Sequence, residues 1–192
     1  MKIFNDKIER MEFVWTKKDG GIVFQTGDYI IYGTRGVCCV KNVGTLEFSQ
    51  VADRLYYTLE PLYMPGSVVY APVEANGVIV RPVMSRDEAM ELINCIPEIE
   101  ELWIRDEKSR ENAYKDAIKG CDNRELVRII KTIYNRGRSR MAEGKKITVA
   151  DNKYFKLAEE NLYGELAVSL SMTRDEVKAF VTDHVKLAVQ NA

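Results

Sequence analysis

The hydrophobic pattern of this chain changes its period once, shortly after Pro82. Between residues 22 and 83, short runs rich in Val, Ile and Tyr alternate with Gly, Pro, Asn and Asp, which is typical of β-strands joined by tight turns. After that point, apolar residues recur every three or four positions, which is typical of amphipathic helices. Strands followed by helices, rather than alternating with them, predict an α+β fold.

The strand-like half contains five short runs, which predict a small β-barrel of the SH3 or Tudor type. The runs are VFQTGDYIIYG, GVCCVKNVG, LYYTLEPLY, SVVYAPV and GVIVRPV. We therefore predict a barrel domain at residues 22–84 and a compact all-α domain at residues 85–192. Residues 1–21 form an N-terminal extension that fits neither pattern, and whether residues 13–15 add a strand stays open.

Capping signals divide the helical half into about five helices. Ser85 and Glu88 form a capping box for the first helix, which ends before Pro97. The second helix is predicted to run from residue 98 to residue 119, because Gly120 follows it. The other caps are predicted at Asp122 with Glu125, at Thr148 or Asp151, and at Thr173 with Glu176.

Composition favours an ordinary globular protein, since 192 residues with 46% hydrophobic content can bury a substantial core. No apolar stretch approaches the roughly 18 residues of a membrane span, and the first ten residues, MKIFNDKIER, lack the apolar centre of a signal peptide. We therefore expect a cytoplasmic protein that makes no membrane contact.

Catalytic and metal-binding motifs are not evident in the sequence. The four cysteines show no C-x-x-C spacing, so we expect free thiols, and a zinc site is not expected with His184 as the single histidine. His184 lies in an ordinary helical repeat, and no glycine-rich phosphate loop occurs. These observations predict a protein that is not an enzyme and needs no cofactor.

The formal net charge of -1 conceals a basic stretch. Residues 124–146 contain eight Lys and Arg residues against two Glu residues, a local balance of +6. In a helical projection, Arg124, Arg128 and Lys131 gather opposite an apolar face. Such a stripe either binds phosphate groups or is simply a solvated face.

A single tryptophan stands in the mostly charged run ELWIRDEKSR, residues 101–110. Apolar residues end at Ile104, whereas a core-facing helix would continue to supply them every three or four positions. Trp103 is therefore either presented at the surface for a partner or half-buried at a seam. The acidic residues around it are Glu98, Glu100, Glu101, Asp106 and Glu107.

The ordered segments GDYIIYGTRGVCCV, YYTLEPLY, APVE and GVIVRPV resemble the N-terminal polymerase-interacting module of CarD-type (CarD/CdnL) bacterial transcription regulators, a module shared with transcription-repair coupling factor. The segments AYKDAIKGCDNRELVRIIKTIY and KYFKLAEENLYGELAVSLSMTRDEV resemble the helical part of the same family. Together the resemblance covers about residues 25–185. In the first segment, Gly33, Thr34 and Arg35 stand where the family commonly has Pro and His. Directly before the segment APVE, Tyr70 stands where an arginine is common in the family.

The resemblance implies a non-enzymatic regulator of transcription initiation, with the RNA polymerase β subunit and promoter DNA as partners and a monomeric, nucleoid-associated state. The Tudor-like domain would hold the β subunit, and the helical domain would contact the minor groove and phosphates without reading sequence. A wedging tryptophan would oppose closing of the melted DNA, and Trp103 matches it by its place in the first long helix after the barrel. The DNA-binding residues are then expected to be Trp103, Arg105, Lys108, Arg110, Arg124, Arg128 and Lys131.

The polymerase contact is expected at an exposed strand edge within residues 43–58, because small open barrels leave backbone groups free for a partner strand. The polymerase-binding residues are expected to be Arg35, Leu46, Phe48, Arg54 and Tyr70. An alternative is an adaptor that docks on polymerase without productive DNA binding. The basic stretch favours DNA binding, whereas the acidic residues around Trp103 favour the adaptor.

Overall fold

The structure is a computed structural model that describes residues 16–18, 21–47, 49, 53–74 and 77–190. The chain divides into two units, Met1–Val83 and Met84–Ala192. The sequence placed the change of domain after residue 84. The question of a strand at residues 13–15 lies outside the described residues.

Two antiparallel sheets make up the described part of the N-terminal unit. Strands β1 (Thr16–Lys18) and β2 (Gly21–Val23) pair with each other. The larger sheet has five strands in the order β6-β5-β4-β3-β7. Its strands are β3 (Tyr29–Tyr32), β4 (Val37–Gly44), β5 (Tyr56–Pro61), β6 (Val69–Pro72) and β7 (Val80–Pro82).

Strand β5 shows most clearly why these residues form a sheet. Tyr57 and Leu59 are buried, whereas the residues between and beside them are only partly buried, so the side chains alternate with the two-residue period of a strand. Tyr57 packs edge-on against Phe24, and its hydroxyl accepts a hydrogen bond from the Phe24 N–H at 3.2 Å. Cys38 belongs to the same core, and burial raises the pKa of its thiol to about 12.

The prediction of an exposed strand edge within residues 43–58 is wrong for β5. The residues at its start pair with β4 on one side and with β6 on the other, so β5 is an interior strand. Consecutive strands usually pair with each other, and the described residues between β4 and β5 (45–47, 49 and 53–55) belong to no strand. The outer strands are β6 and β7, which end in Pro72 and Pro82, residues that an outer strand tolerates because proline lacks a backbone N–H.

Five α-helices form the described part of the C-terminal unit, so the predicted α+β fold is confirmed. They are α1 (Arg86–Cys95), α2 (Arg110–Lys119), α3 (Asn123–Ala142), α4 (Val149–Leu170) and α5 (Arg174–Gln190). The capping box of α1 is present, since the Ser85 hydroxyl accepts from the Glu88 N–H and the Glu88 carboxylate accepts from the Ser85 N–H. Thr148 caps α4, because its hydroxyl accepts from the Asp151 N–H at 3.0 Å.

Helix α4 lies at the centre of the helical core and also binds the first residue of the unit. The Glu165 carboxylate accepts a hydrogen bond from the Met84 N–H at 2.9 Å, and the Ser169 hydroxyl donates to the Met84 carbonyl at 2.7 Å. Glu165 also accepts from the Asn123 amide at 3.0 Å, which ties α3 to α4. The buried carboxylate therefore has partners from two other segments, as a buried charge requires.

The predicted second helix, residues 98–119, is wrong over its first half. A 3₁₀ turn at Ile96–Glu98 follows α1, Ile99 is extended, and α2 begins only at Arg110. Pro97 removes a backbone donor at the turn. Before α2, the Asp106 carboxylate accepts from the Ser109 N–H at 2.8 Å, a local bond that competes with helix formation.

Candidate nucleic-acid interface

Trp103 lies in the non-helical residues 99–109, which we call the Trp103 segment. Leu102 and Ile104 are partly buried and pack against the helical core, whereas 78% of the Trp103 surface is exposed. This alternation is that of an extended chain lying on a surface, with one face turned inward. A tryptophan this exposed is unusual in a folded protein and marks a candidate contact surface.

Helix α3 holds the chain at Leu102 and in the turn that precedes it. The Thr132 hydroxyl accepts a hydrogen bond from the Leu102 N–H and donates one to the Arg128 carbonyl, both at 2.7 Å. Lys131 extends its ammonium group to the carbonyls of Ile96 and Pro97, each at 3.1 Å, and also to the carbonyl of Ile99. Neighbouring residues of α3 thus fix the turn before Trp103 and the residue directly next to it.

Glu101 receives two further bonds from α3. The Arg128 guanidinium donates to the Glu101 carbonyl at 3.3 Å and to the Glu125 carboxylate at 2.8 Å. The Asn135 amide donates to the Glu101 carboxylate at 2.7 Å. One acidic neighbour of Trp103 is therefore already hydrogen-bonded within the protein.

The other end of the Trp103 segment is held at Glu107. Its carboxylate accepts from Arg136 at 2.5 Å and from Arg110 at 2.9 Å. Arg136 also donates to Asp151 at 3.0 Å, and Asp151 accepts from the Tyr114 hydroxyl at 3.1 Å. This network connects the exposed Glu107 to α2, α3 and α4, and its inner members, Arg136, Asp151 and Tyr114, are largely buried.

The pKa values in this network follow from burial and hydrogen bonding. Burial by itself raises the pKa of Asp151, but hydrogen bonds from Thr148 and Arg136 outweigh it and hold the pKa below its ordinary value. Burial raises the pKa of Tyr114, despite the opposing effect of Arg110. The Asp151 carboxylate is therefore the charged partner of Arg136 at neutral pH.

The predicted DNA-binding cations fall into two groups. Arg105, Lys108 and Arg124 are exposed. Arg110, Arg128 and Lys131 are only partly exposed and donate to groups of the protein itself. Two of the three cations in the stripe predicted on α3, Arg128 and Lys131, therefore donate to the Trp103 segment or to the turn before it.

The sequence reasoning missed the residues of α3 that accompany those cations, namely Thr132, Asn135 and Arg136. The spacing of polar residues along α3 could have indicated them. Arg128, Lys131, Thr132 and Asn135 occupy positions i, i+3, i+4 and i+7, the pattern of one helix face. A polar face with this regular spacing indicates contact with another segment of chain as well as with solvent.

The predicted polymerase-binding residues lie at separate places in the N-terminal unit. Arg35 is exposed at the end of a 3₁₀ turn, and Tyr70 is exposed in the outer strand β6. Arg54 precedes β5, with its guanidinium 5.7 Å from the centre of the Tyr56 ring. Leu46 is partly buried after β4. The prediction for Phe48 lies outside the described residues.

Several other sequence predictions concern chemistry away from this surface. In the structure, no disulfide joins Cys38, Cys39, Cys95 or Cys121. Across the described part of the chain, no group of three or more His, Cys, Asp or Glu side chains is placed to hold a metal ion. Within the same residues, no helix combines the length and apolar character that a membrane span requires.

The described residues form a small antiparallel sheet unit followed by a helical unit with an exposed tryptophan. Residues 24–84 match the family model of the CarD-like/TRCF RID domain. The N-terminal unit therefore carries a CarD-like polymerase-interacting domain, and the resemblance drawn from the sequence is confirmed for this part of the chain. A comparison with curated proteins found no match.

Proposed function

We propose that this protein is a non-enzymatic regulator of transcription initiation. Its N-terminal unit binds the RNA polymerase β subunit, and its helical unit stabilises the open promoter through contacts with DNA that do not depend on sequence. The CarD-like domain at residues 24–84 supports the polymerase contact. The single observation that supports the DNA contact is the 78% exposure of Trp103 on a segment held at both ends.

The chemistry of the Trp103 segment suits a disrupted base step. An indole offers a flat apolar face on which an unstacked base can rest, and apolar wedges are a common device of minor-groove binders. Arg105 and Lys108 are exposed on the same segment and can contact phosphates on either side. Since phosphates and base faces are common to all sequences, such a contact is indifferent to sequence.

The alternative function is an adaptor that docks on polymerase without productive DNA binding. It is favoured by the local charge, because Glu98, Glu100 and Asp106 are exposed near Trp103. It is also favoured by the internal bonds of Arg128 and Lys131, which reduce the positive charge available to phosphates. A direct test of Trp103 separates the two functions.

The test replaces Trp103 by Ala and by Phe and measures the half-life of the open complex at a weak promoter. Stacking of one base on an aromatic side chain is worth about 1 to 3 kcal/mol. Trp103→Ala should therefore shorten the half-life by roughly five-fold to more than a hundred-fold. Trp103→Phe should lose less, because it keeps an aromatic face.

Thermal unfolding and polymerase binding provide the controls. An exposed tryptophan contributes little to the core, so Trp103→Ala should change the free energy of unfolding by less than about 0.5 kcal/mol. Tyr134, an exposed aromatic residue on α3, gives the matched variant Tyr134→Ala, which should leave the half-life unchanged. A normal half-life for Trp103→Ala, with normal stability and polymerase binding, would reject the wedge and favour the adaptor.

A further inference from the structure

We propose that Lys131 is a positioning residue for Trp103 rather than a phosphate ligand. The part of this inference that concerns DNA rests on the function proposed above. The part that concerns the protein alone does not, because it follows from the bonds between α3 and the Trp103 segment. The two parts therefore have separate tests.

The ammonium group of Lys131 has three N–H donors, and three carbonyls accept from it. These belong to Ile96, Pro97 and Ile99. They lie at the 3₁₀ turn that follows α1, where the end of a helix leaves carbonyl groups short of backbone partners, although the Ile96 carbonyl does accept from the Ile99 N–H at 3.3 Å. The negative end of the helix dipole also lies there, and it favours a cation. Lys131 thus satisfies the end of α1 from a different helix.

These bonds determine the direction in which Trp103 points. Lys131 fixes the carbonyl of Ile99, and Thr132 fixes the N–H of Leu102, so the backbone is held at two places within the four residues before Trp103. With Leu102 directed inward, the alternation of an extended chain directs Trp103 outward. Loss of Lys131 removes the ammonium donor from all three carbonyls, of which the Ile96 carbonyl keeps the Ile99 N–H, and it releases one of the two places where the backbone is held.

The use of all three donors also argues against phosphate binding by Lys131. A phosphate would have to displace carbonyl acceptors that are already in place. Arg124, on the same helix, is exposed and provides the comparison. The two cations of one helix are therefore expected to differ in their effect on DNA binding and on Trp103.

The first test needs neither DNA nor polymerase. The chain has two tryptophans, so Trp15→Phe leaves Trp103 as the only indole. Time-resolved fluorescence anisotropy of that variant reports the local motion of Trp103. Adding Lys131→Met, which keeps the apolar stem but removes the donors, should enlarge the fast component of the decay. Adding Arg124→Met should leave the decay unchanged.

Two further variants keep this test decisive. Lys131→Arg retains several donors and should restore much of the slow decay. Lys131→Gln retains one amide group and replaces Lys131→Met if the latter does not fold, as judged by circular dichroism. A decay for the folded Met or Gln variant that equals that of the Trp15→Phe parent would overturn the positioning role.

The second test uses polymerase and promoter DNA. Lys131→Met should shorten the half-life of the open complex by up to the factor found for Trp103→Ala, and it should have no further effect when Trp103 is already Ala. The slope of log affinity against log salt should stay the same, whereas loss of a phosphate ligand would flatten it by about 0.9. A flattening of that size, or an equal effect with and without Trp103, would overturn the inference.

The two tests also separate this inference from the proposed function. If Lys131→Met alters the anisotropy decay while Trp103→Ala leaves the half-life normal, the positioning role stands and the wedge function fails. If Trp103→Ala shortens the half-life while Lys131→Met changes neither the decay nor the half-life, the function stands and the positioning role fails.

Discussion

Replacement of Asp151 by Asn should destabilise the helical unit, because this carboxylate is the buried end of the network that holds Glu107. Asp151 is 1% exposed and accepts from Arg136 and Tyr114. Removal of one partner of a buried ion pair typically costs about 3 to 5 kcal/mol. The Arg136 side chain is 19% exposed and keeps Glu107 as a second partner, so we expect the lower end of that range, about 3 kcal/mol.

A loss of this size should be visible in thermal unfolding. For a unit of roughly 100 residues, 1 kcal/mol corresponds to about 4 °C or more in Tm. Asp151→Asn should therefore lower the Tm of the helical unit by about 12 °C at pH 7. Glu143→Gln is the matched control, because the Glu143 carboxylate pairs with Lys145 but is 59% exposed. It should change the free energy of unfolding by less than about 0.5 kcal/mol.

The same variant has a defined pH dependence. Burial opposes ionisation of Asp151, but the bonds from Thr148 and Arg136 prevail, so its pKa is lower in the folded protein than in the unfolded chain. Stability contributed by such a group is fully present above the unfolded pKa and is lost as the pH falls through the folded pKa. The difference in unfolding free energy between the parent and Asp151→Asn should therefore be constant from pH 7 to 5 and shrink below about pH 4.

Urea unfolding at pH 7, 5 and 3, followed by circular dichroism, measures this difference directly. A destabilisation at pH 7 no larger than that of Glu143→Gln would show that the network contributes little. A difference that grows on acidification would show that the sign of the pKa shift is wrong. Either result would refute the argument that Asp151 is the charged partner of Arg136.

Two further predictions concern the partners of the protein. The double variant Leu46→Glu with Arg54→Glu should lose capture of the polymerase β subunit while its circular dichroism stays normal, and undiminished capture would contradict a docking surface at the β4–β5 connection. DNA titrations between 50 and 200 mM salt should give a slope flattened by about 0.9 for Arg124→Ala. The stripe predicted from sequence assigns one phosphate to each of Arg124, Arg128 and Lys131. If that were right, replacing all three by Ala would flatten the slope by roughly 3.

The sequence by itself predicted the features that depend on neighbouring residues. The capping bonds at Ser85, Asp122 and Thr148 each join groups within three positions, so a motif of four residues contains both partners. The change of hydrophobic period likewise separates strands from helices without reference to any distant residue. The α+β class and the order of the two units followed from these local signals.

Tertiary structure decided which surfaces meet, and this is where the sequence reasoning went wrong. The carbonyls that accept from Lys131 lie 32 to 35 positions away, so a helical projection of α3 could not distinguish a solvated cation from one committed to another segment. The same limit explains the wrong helix at residues 98–109. Turn bonds near Pro97 and Asp106, together with the polar face of α3, stabilise an extended chain there. Long-range hydrogen bonds outweigh a local helical pattern because helix propensity is a weak preference. They also form only after the helices have packed, so the local pattern does not reveal them.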